Sequence, residues 1–455
     1  MKKRMCKIMA LAMTAAMVVP MAAQTTAFAA DDKEITYWNI AVESPDKDIV
    51  TAAVDKFNKE TKSGYTVNQV AIQNDTYKEK LVIAMSSGEC PDMYSSWSGG
   101  PMYEYIDSGF AQPIDDLLDQ SDIKDKLLDA AIEQGSYKGH VYAIPYMNVV
   151  LAGIFYNKDM FKQYGLEEPK TLADLENICA TLKENGITPF ALANGSKWTG
   201  SMYFMSLAAR YGGLEPFQNA VAGTGKFTDD CFIKAGEKIQ EWVKNGYFPD
   251  GVNSLSEDDG QAKQLMYQET AGMLLCGSWY TGTFQTDSEE FYQKIGWFPF
   301  PAIDDSDADP TIQIGTVGDQ FISFNCEGDK LAAAFECAAD HLSDEVEDMI
   351  YSTGKIAPVK DAGDHISDPV VKEIFDAAQE ASSIQLWYDQ YLPTSVASAH
   401  LDGLQEVFGL TKTPQEAQEE MQKAMDEYLS TKSDSGAADD TAEEATDDAA
   451  ADDAE

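Results

Sequence analysis

The segment from Tyr142 to Leu166, YAIPYMNVVLAGIFYNKDMFKQYGL, joins buried extended chain to a helix with no catalytic residue between them. Pro145 and Gly153 interrupt the apolar run and exclude a long helix there, and Asn157-Lys158-Asp159 then opens a helix carrying Met160, Phe161 and Tyr164. Such a segment crosses from one packed lobe to another. Upstream, Ile35 to Tyr94 alternates strand and helix. ITYWNI is followed by a helix with Ile49, Val50, Ala53, Val54 and Phe57 on one face, a strand around Tyr65 to Ile72, a helix from Asp75 to Met85, and Met93-Tyr94. That order predicts an α/β lobe with a mainly parallel sheet. Capping boxes mark two later helices, Thr171 with Asp174 and Thr413 with Glu416; order is expected to about Leu429.

The ends of the chain have a different character. Lys2, Lys3, Arg4 and Lys7 precede an apolar run from Ile8 to Ala23, then Ala27-Phe28-Ala29, which predicts an export signal spanning 1–29 with cleavage after Ala29. Cys6 lies before the apolar run, so no lipidation cysteine follows it. A secreted, surface-associated protein is expected. From 433 to 455 the chain carries ten acidic residues and no basic one, with no large apolar side chain, and is expected to be a disordered acidic tail. Between these ends roughly 400 residues imply two domains. A net charge of −44 argues against nucleic acid and anionic lipid as partners. Cys90, Cys179, Cys231, Cys276, Cys326 and Cys337 are widely spaced in apolar contexts, with no C-x-x-C pair, and read as small buried thiols.

Gly139, the run Tyr142-Ala143-Ile144-Pro145, and Tyr156-Asn157-Lys158-Asp159 followed by Phe161, Tyr164, Gly165 and Leu166 resemble the signature of extracellular solute-binding proteins of sugar ABC importers, with His140 replacing the usual lysine. S-G-E-C-P-D at 87–92 resembles the same family's S-G-x-x-P-D, and GITPFAL at 186–192, GSW at 277–279, FPFP at 298–301 and LWYDQYLP at 386–393 are similar to its oligosaccharide-binding group that includes raffinose-type and multiple-sugar binders. The resemblance implies a periplasmic-binding-protein-like fold of type II, in which two α/β lobes are joined by a three-segment hinge. It implies crossings near Ile144 to Val149, Ile312 to Thr316 and Lys355 to Val359. The expected lobes are 30–146 plus 314–356, and 147–313 plus 357–432.

In parallel α/β sheets ligands sit beyond the carboxyl ends of the strands. A pyranose presents a C–H-rich face to flat rings and hydroxyls to short polar groups. Trp242, on a helical face with Ile239 and Val243, and Trp297 read as core. Trp38, Trp97, Trp198, Trp279 and Trp387 stand among Gly, Ser, Thr and Asn, where a large ring either lines a cleft or covers the core. Asp389 lies between Tyr388 and Gln390; Asp319 precedes Gln320 near a crossing; Asn39 and Glu43 follow the first strand; Tyr146 and Asn148 sit on the first crossing. These residues form the expected ligand site.

The expected activity is capture of an oligosaccharide in an interlobe cleft, closure, and delivery to the transmembrane subunits of an ABC permease, by a monomer with no cofactor, metal or chemical step. A non-sugar cargo is the first rival, although Arg210 is the only arginine after the leader, which disfavours a carboxylate ligand. A secreted glycoside hydrolase is the second; no hydrolase carboxylate motif or nucleophile constellation is recognisable.

Overall fold

The computed structural model describes residues 33–436, so the expected leader and most of the acidic tail lie outside the described residues. Strands β1 (Glu34–Asn39), β2 (Thr66–Ala71), β3 (Met93–Ser96), β6 (Ala143–Pro145) and β12 (Phe321–Phe324) form a sheet in the order β2-β1-β3-β12-β6. Its β2-β1-β3 part is parallel, as the strand-helix alternation predicts, while β12 returns antiparallel between β3 and β6. A short hairpin, β4 (Ser136–Tyr137) and β5 (His140–Val141), lies outside it.

The second sheet runs β13 (Ile384–Gln385), β11 (Gln313–Thr316), β7 (Val150–Asn157), β9 (Ala271–Gly277), β8 (Thr188–Phe190), with β10 (Ile295–Pro299) also on β7. Here antiparallel pairing dominates around β7, which meets β9, β10 and β11. All eight residues of β7 are buried, so the apolar run of the sequence is the central strand of this lobe. Gly153 is required there, because a Cβ would lie 2.2 Å from the Trp297 ring. Trp297 and Trp242 are core, Trp242 donating to Glu176 at 2.8 Å. The six cysteines among the described residues are free thiols, five of them buried.

The chain changes sheet between Pro145 and Val150 and again between Thr316 and Phe321. β11 pairs with β7 through Thr316, so this second crossing falls after 316 rather than at the expected 313/314 limit. The third is also later than expected. Leu128 N donates to Pro358 O and Lys360 N to Lys126 O, which keeps 358–360 on the first lobe. The last helix, Pro414–Gly436, extends past the expected onset of the tail at 433; Thr413 and Glu416 form its capping box, and Gly436 is the first glycine after Pro414.

Arg210 locks the second lobe internally. Its guanidinium donates to Phe300 O (2.8 Å), Pro301 O (3.2 Å) and Ile312 O (2.7 Å), and burial pulls its pKa down to about 10. Replacing Arg210 by Met leaves those carbonyls without donors and should cost about 3 kcal/mol, measured by urea unfolding at pH 7.

Candidate functional site

Between the two sheets lies an open cavity with room for about 190 Å³ of solvent, in the kind of interlobe position where ligand sites form. Trp97 and Lys78 come from the first lobe, Trp198, Trp279, Trp387 and Asp389 from the second, and Asp319 and Gln320 from the second crossing. Trp97 follows β3 and Trp279 follows β9, so both stand where chain leaves the carboxyl end of a strand. Trp279 is the centre of the ring wall: its centroid is 5.9 Å from Trp198 and 6.1 Å from Trp387. On the facing lobe Trp97 packs edge-on to Tyr77 at 6.0 Å, with Lys78 Nζ 5.0 Å over its ring. Met202 and Met205 complete the apolar lining.

The polar groups form two clusters. At one side Asp389 faces Lys78 across the cleft at 3.7 Å. At the floor, Tyr146 donates to Gln320 Oε1 (2.6 Å) and shares a hydrogen bond with Ser95 (3.0 Å), which orients the amide. Beside it, burial raises the Asp319 carboxyl to about 7; Lys355 opposes the shift, Asp46 adds to it, and a hydrogen bond from Gln320 opposes it. Lys355 is itself paired with Asp46, its side chain only 2% exposed. Glu257 is the other perturbed group. Burial raises it to about 7 against a hydrogen bond from Tyr280, and its Oε2 is buried without a partner. In its protonated form each of these carboxyls supplies both a donor and an acceptor.

Trp97, Trp198, Trp279, Trp387, Asp319 and Asp389 therefore share one cavity. The other expected residues lie elsewhere. Trp38 is half-buried in a cluster with Tyr77, Leu81 and Tyr94 and is not part of the cavity lining. Asn39 is fully buried and accepts from Ala41 N at 3.0 Å, closing the turn after β1. Asn148 is buried in the hinge, where its carbonyl accepts from Asp319 N at 2.9 Å. Tyr146 is buried beneath the cavity and acts through Gln320. Glu43 is exposed on an adjoining groove and pairs with Lys263 at 3.5 Å. Sequence reasoning did not find Glu257, Lys78, Asp46 or Asn74. Glu257 lies in the acidic loop SLSEDDG with no aromatic neighbour, and Lys78 sits on a helix with ordinary surface spacing, so neither carried a local signal.

A family model for bacterial extracellular solute-binding proteins matches residues 41–339, more than half of the 455-residue chain. The chain belongs to this family. An uncharacterized ABC transporter extracellular-binding protein of Pyrococcus horikoshii is 31% identical over 228 residues, 50% of each chain. The melibiose/raffinose/stachyose-binding protein of Bacillus subtilis is 23% identical over 288 residues, 60% of this chain and 63% of that one. This solute-binding protein spans about half the length of the first of these curated relatives. Solved structures match it far more completely. One concerned with xylan utilization by the thermophilic bacterium Caldanaerobius polysaccharolyticus is 29% identical with a TM-score of 0.78, covering 86% of this chain and 99% of that one. A chitin oligosaccharide binding protein shares the fold at 24% identity with a TM-score of 0.79, covering 87% and 98%. The fold is thus type II, two α/β lobes about a cleft. No helix among the described residues is long and apolar enough to cross a membrane.

The raised Glu257 pKa carries a stability consequence. Its folded value, about 7, lies above the ordinary 4.5, so folding favours the protonated form. Stability from this group is greatest below pH 4.5 and declines as pH rises toward 7. Glu257→Gln should therefore gain melting temperature relative to wild type between pH 5 and 8 and show no such gain near pH 4, in a melting series across that range.

Proposed function

We propose that this protein captures an oligosaccharide between its lobes and delivers it to the transmembrane subunits of an ABC permease. The observation that carries this reading is the convergence of Trp97 from one lobe with Trp198, Trp279 and Trp387 from the other on a single cavity that also holds carboxyl and amide groups. Flat rings cover the C–H faces of pyranoses, and Asp389, Asp319, Glu257 and Gln320 supply in-plane hydrogen-bonding groups for hydroxyls. The scarcity of arginine disfavours an anionic cargo. The names of relatives agree with the chemistry: a maltotriose-binding protein of Pyrococcus abyssi is 28% identical over 235 residues, 51% of this chain and 46% of that one.

The proposed cycle is binding without a chemical step. Sugar settles on the tryptophan wall of the second lobe, and closure adds Trp97, Lys78 and the floor. The exported protein works as a monomer outside the membrane, with no cofactor or metal, its lobes divided at the three crossings. Nucleic acid is not among its partners.

A panel of raffinose-type, malto- and xylo-oligosaccharides, screened by tryptophan fluorescence and calorimetry with product analysis alongside, tests the reading. At least one sugar should bind, quench or shift the indole emission, and be recovered intact. Trp279→Ala and Asp389→Ala should each weaken it tenfold or more, the scale of one lost ring face or one charge-assisted hydrogen bond worth about 1.5–3 kcal/mol. No binding across the panel, or wild-type affinity in both variants, rejects the site.

A further inference from the structure

The mouth of the cleft is spanned by contacts that Glu104 and Asp258 make with the opposite lobe, and neither residue is part of the cavity lining. The helix Asn74–Ser87 of the first lobe has Gln73 at its N-cap, and Gln73 makes no side-chain cap. Its amide at Asp75 donates instead to Asp258 Oδ2 of the second lobe at 3.0 Å. The helix Thr394–Phe408 of the second lobe has Pro393 at its N-cap, which carries no acceptor on its side chain. Its first amide, Thr394 N, donates to Glu104 Oε1 of the first lobe at 3.0 Å, and Thr394 Oγ1 donates to Glu104 Oε2 at 2.6 Å. Each lobe thus caps a helix of the other with a carboxylate, at the positive end of the helix dipole.

The backbone is shaped for this approach. A Cβ at Gly99 would fall 2.1 Å from Gln390 O, and one at Gly100 would fall 2.2 Å from Leu392 O, so glycine at both positions lets the Glu104 helix close on the segment leading to Thr394. Gln73 Nε2 adds a bond to Asp258 O at 3.2 Å.

We infer that Glu104 and Asp258 are affinity-setting residues that never touch the ligand: a reciprocal pair of helix caps that holds the lobes together and sets the closed fraction of the free protein. Apparent affinity scales with the fraction of molecules already in the binding-competent state. Each cap is satisfied only when the lobes meet, so its removal shifts the equilibrium toward the open form by the fold-change of one lost cap, about three- to tenfold. This inference rests on interlobe closure but not on the cargo being a sugar.

Small-angle scattering without ligand tests it. Glu104→Ala and Asp258→Ala should each raise the radius of gyration, and the double variant should raise it most. Gln73→Ser separates a latch from a fold-stabilising contact. Serine at this exposed N-cap gives the Asn74 helix its own acceptor for the Asp75 amide, so the variant should melt higher yet open more. An unchanged radius in the double variant and in Gln73→Ser overturns the latch. With any sugar of the panel that binds, each single alanine variant should lose three- to tenfold in affinity by the same factor for every sugar; a factor that differs between sugars overturns the proposal by placing the residue against the ligand. If no sugar binds while scattering responds as stated, the latch stands and the carbohydrate reading falls.

Discussion

The hinge is the constraint on which the rest of this molecule depends. Its three strands of chain are hydrogen-bonded to one another: Tyr146 N to Gln320 O at 3.1 Å, Asp319 N to Asn148 O at 2.9 Å, and Val149 N to Ile356 O at 2.8 Å. Backbone groups in the dry centre of a protein must find partners, and here each crossing satisfies its neighbour. The three crossings therefore tie the lobes along one line, the arrangement that hinge closure requires. The same line is the floor of the cavity. Asp319 and Gln320 belong to the second crossing, and Tyr146 on the first supports Gln320 from beneath, so a ligand resting on the floor bears on two of the segments that bend.

That placement explains why the floor carries buried charge. An isolated carboxylate buried there is costly, and the Asp319 carboxyl responds by holding its proton to about pH 7 while Lys355 is neutralised by Asp46. A fully apolar floor would pack more cheaply but would offer a hydroxyl-rich ligand nothing to bond. The orphaned Oε2 of Glu257 follows the same logic: an unsatisfied group inside a cavity is an unspent hydrogen bond that a ligand hydroxyl can take up.

Much of this was legible in the sequence where a local rule decides the outcome. The Thr171–Asp174 capping box, the apolar strand from Val150 to Asn157, and tryptophans stranded in Gly/Ser loops each carry their reason within a few residues. The expected residues that do not line the cavity are those whose placement has a non-local reason. Trp38 follows the rule of a ring beside a polar turn, yet it is taken up in the packing of the first-lobe cluster around Tyr77 and Tyr94 and stays out of the cavity lining. Tyr146 and Asn148 lie on a crossing as expected, but burial at the hinge line puts them under the cavity rather than in it. Glu257 and Lys78 are brought to the cavity by the packing of one lobe against the other, which no spacing along the chain encodes. The crossing limits moved for a related reason: where a strand stops is set by its partner, and β11 stays paired with β7 through Thr316.

A two-walled site also dictates how closure is driven. A ligand moves a conformational equilibrium only by the difference in its affinity for the two states. If every contact lay on the second lobe, with Trp198, Trp279 and Trp387, occupancy would leave the lobes indifferent. Trp97, Lys78, Asp46 and Asn74 stand on the other wall, so contacts with them exist only when the lobes meet. The cross-lobe caps at Asp75 and Thr394 act on the same equilibrium without depending on what is bound. In the proposed cycle the two contributions are separate: the caps would set how readily the lobes close, and the rings and floor would set which ligand favours closure. On this proposal selectivity can change by substitution in the cavity while the closing motion is preserved, because the cavity-lining groups and the capping carboxylates Glu104 and Asp258 are different residues.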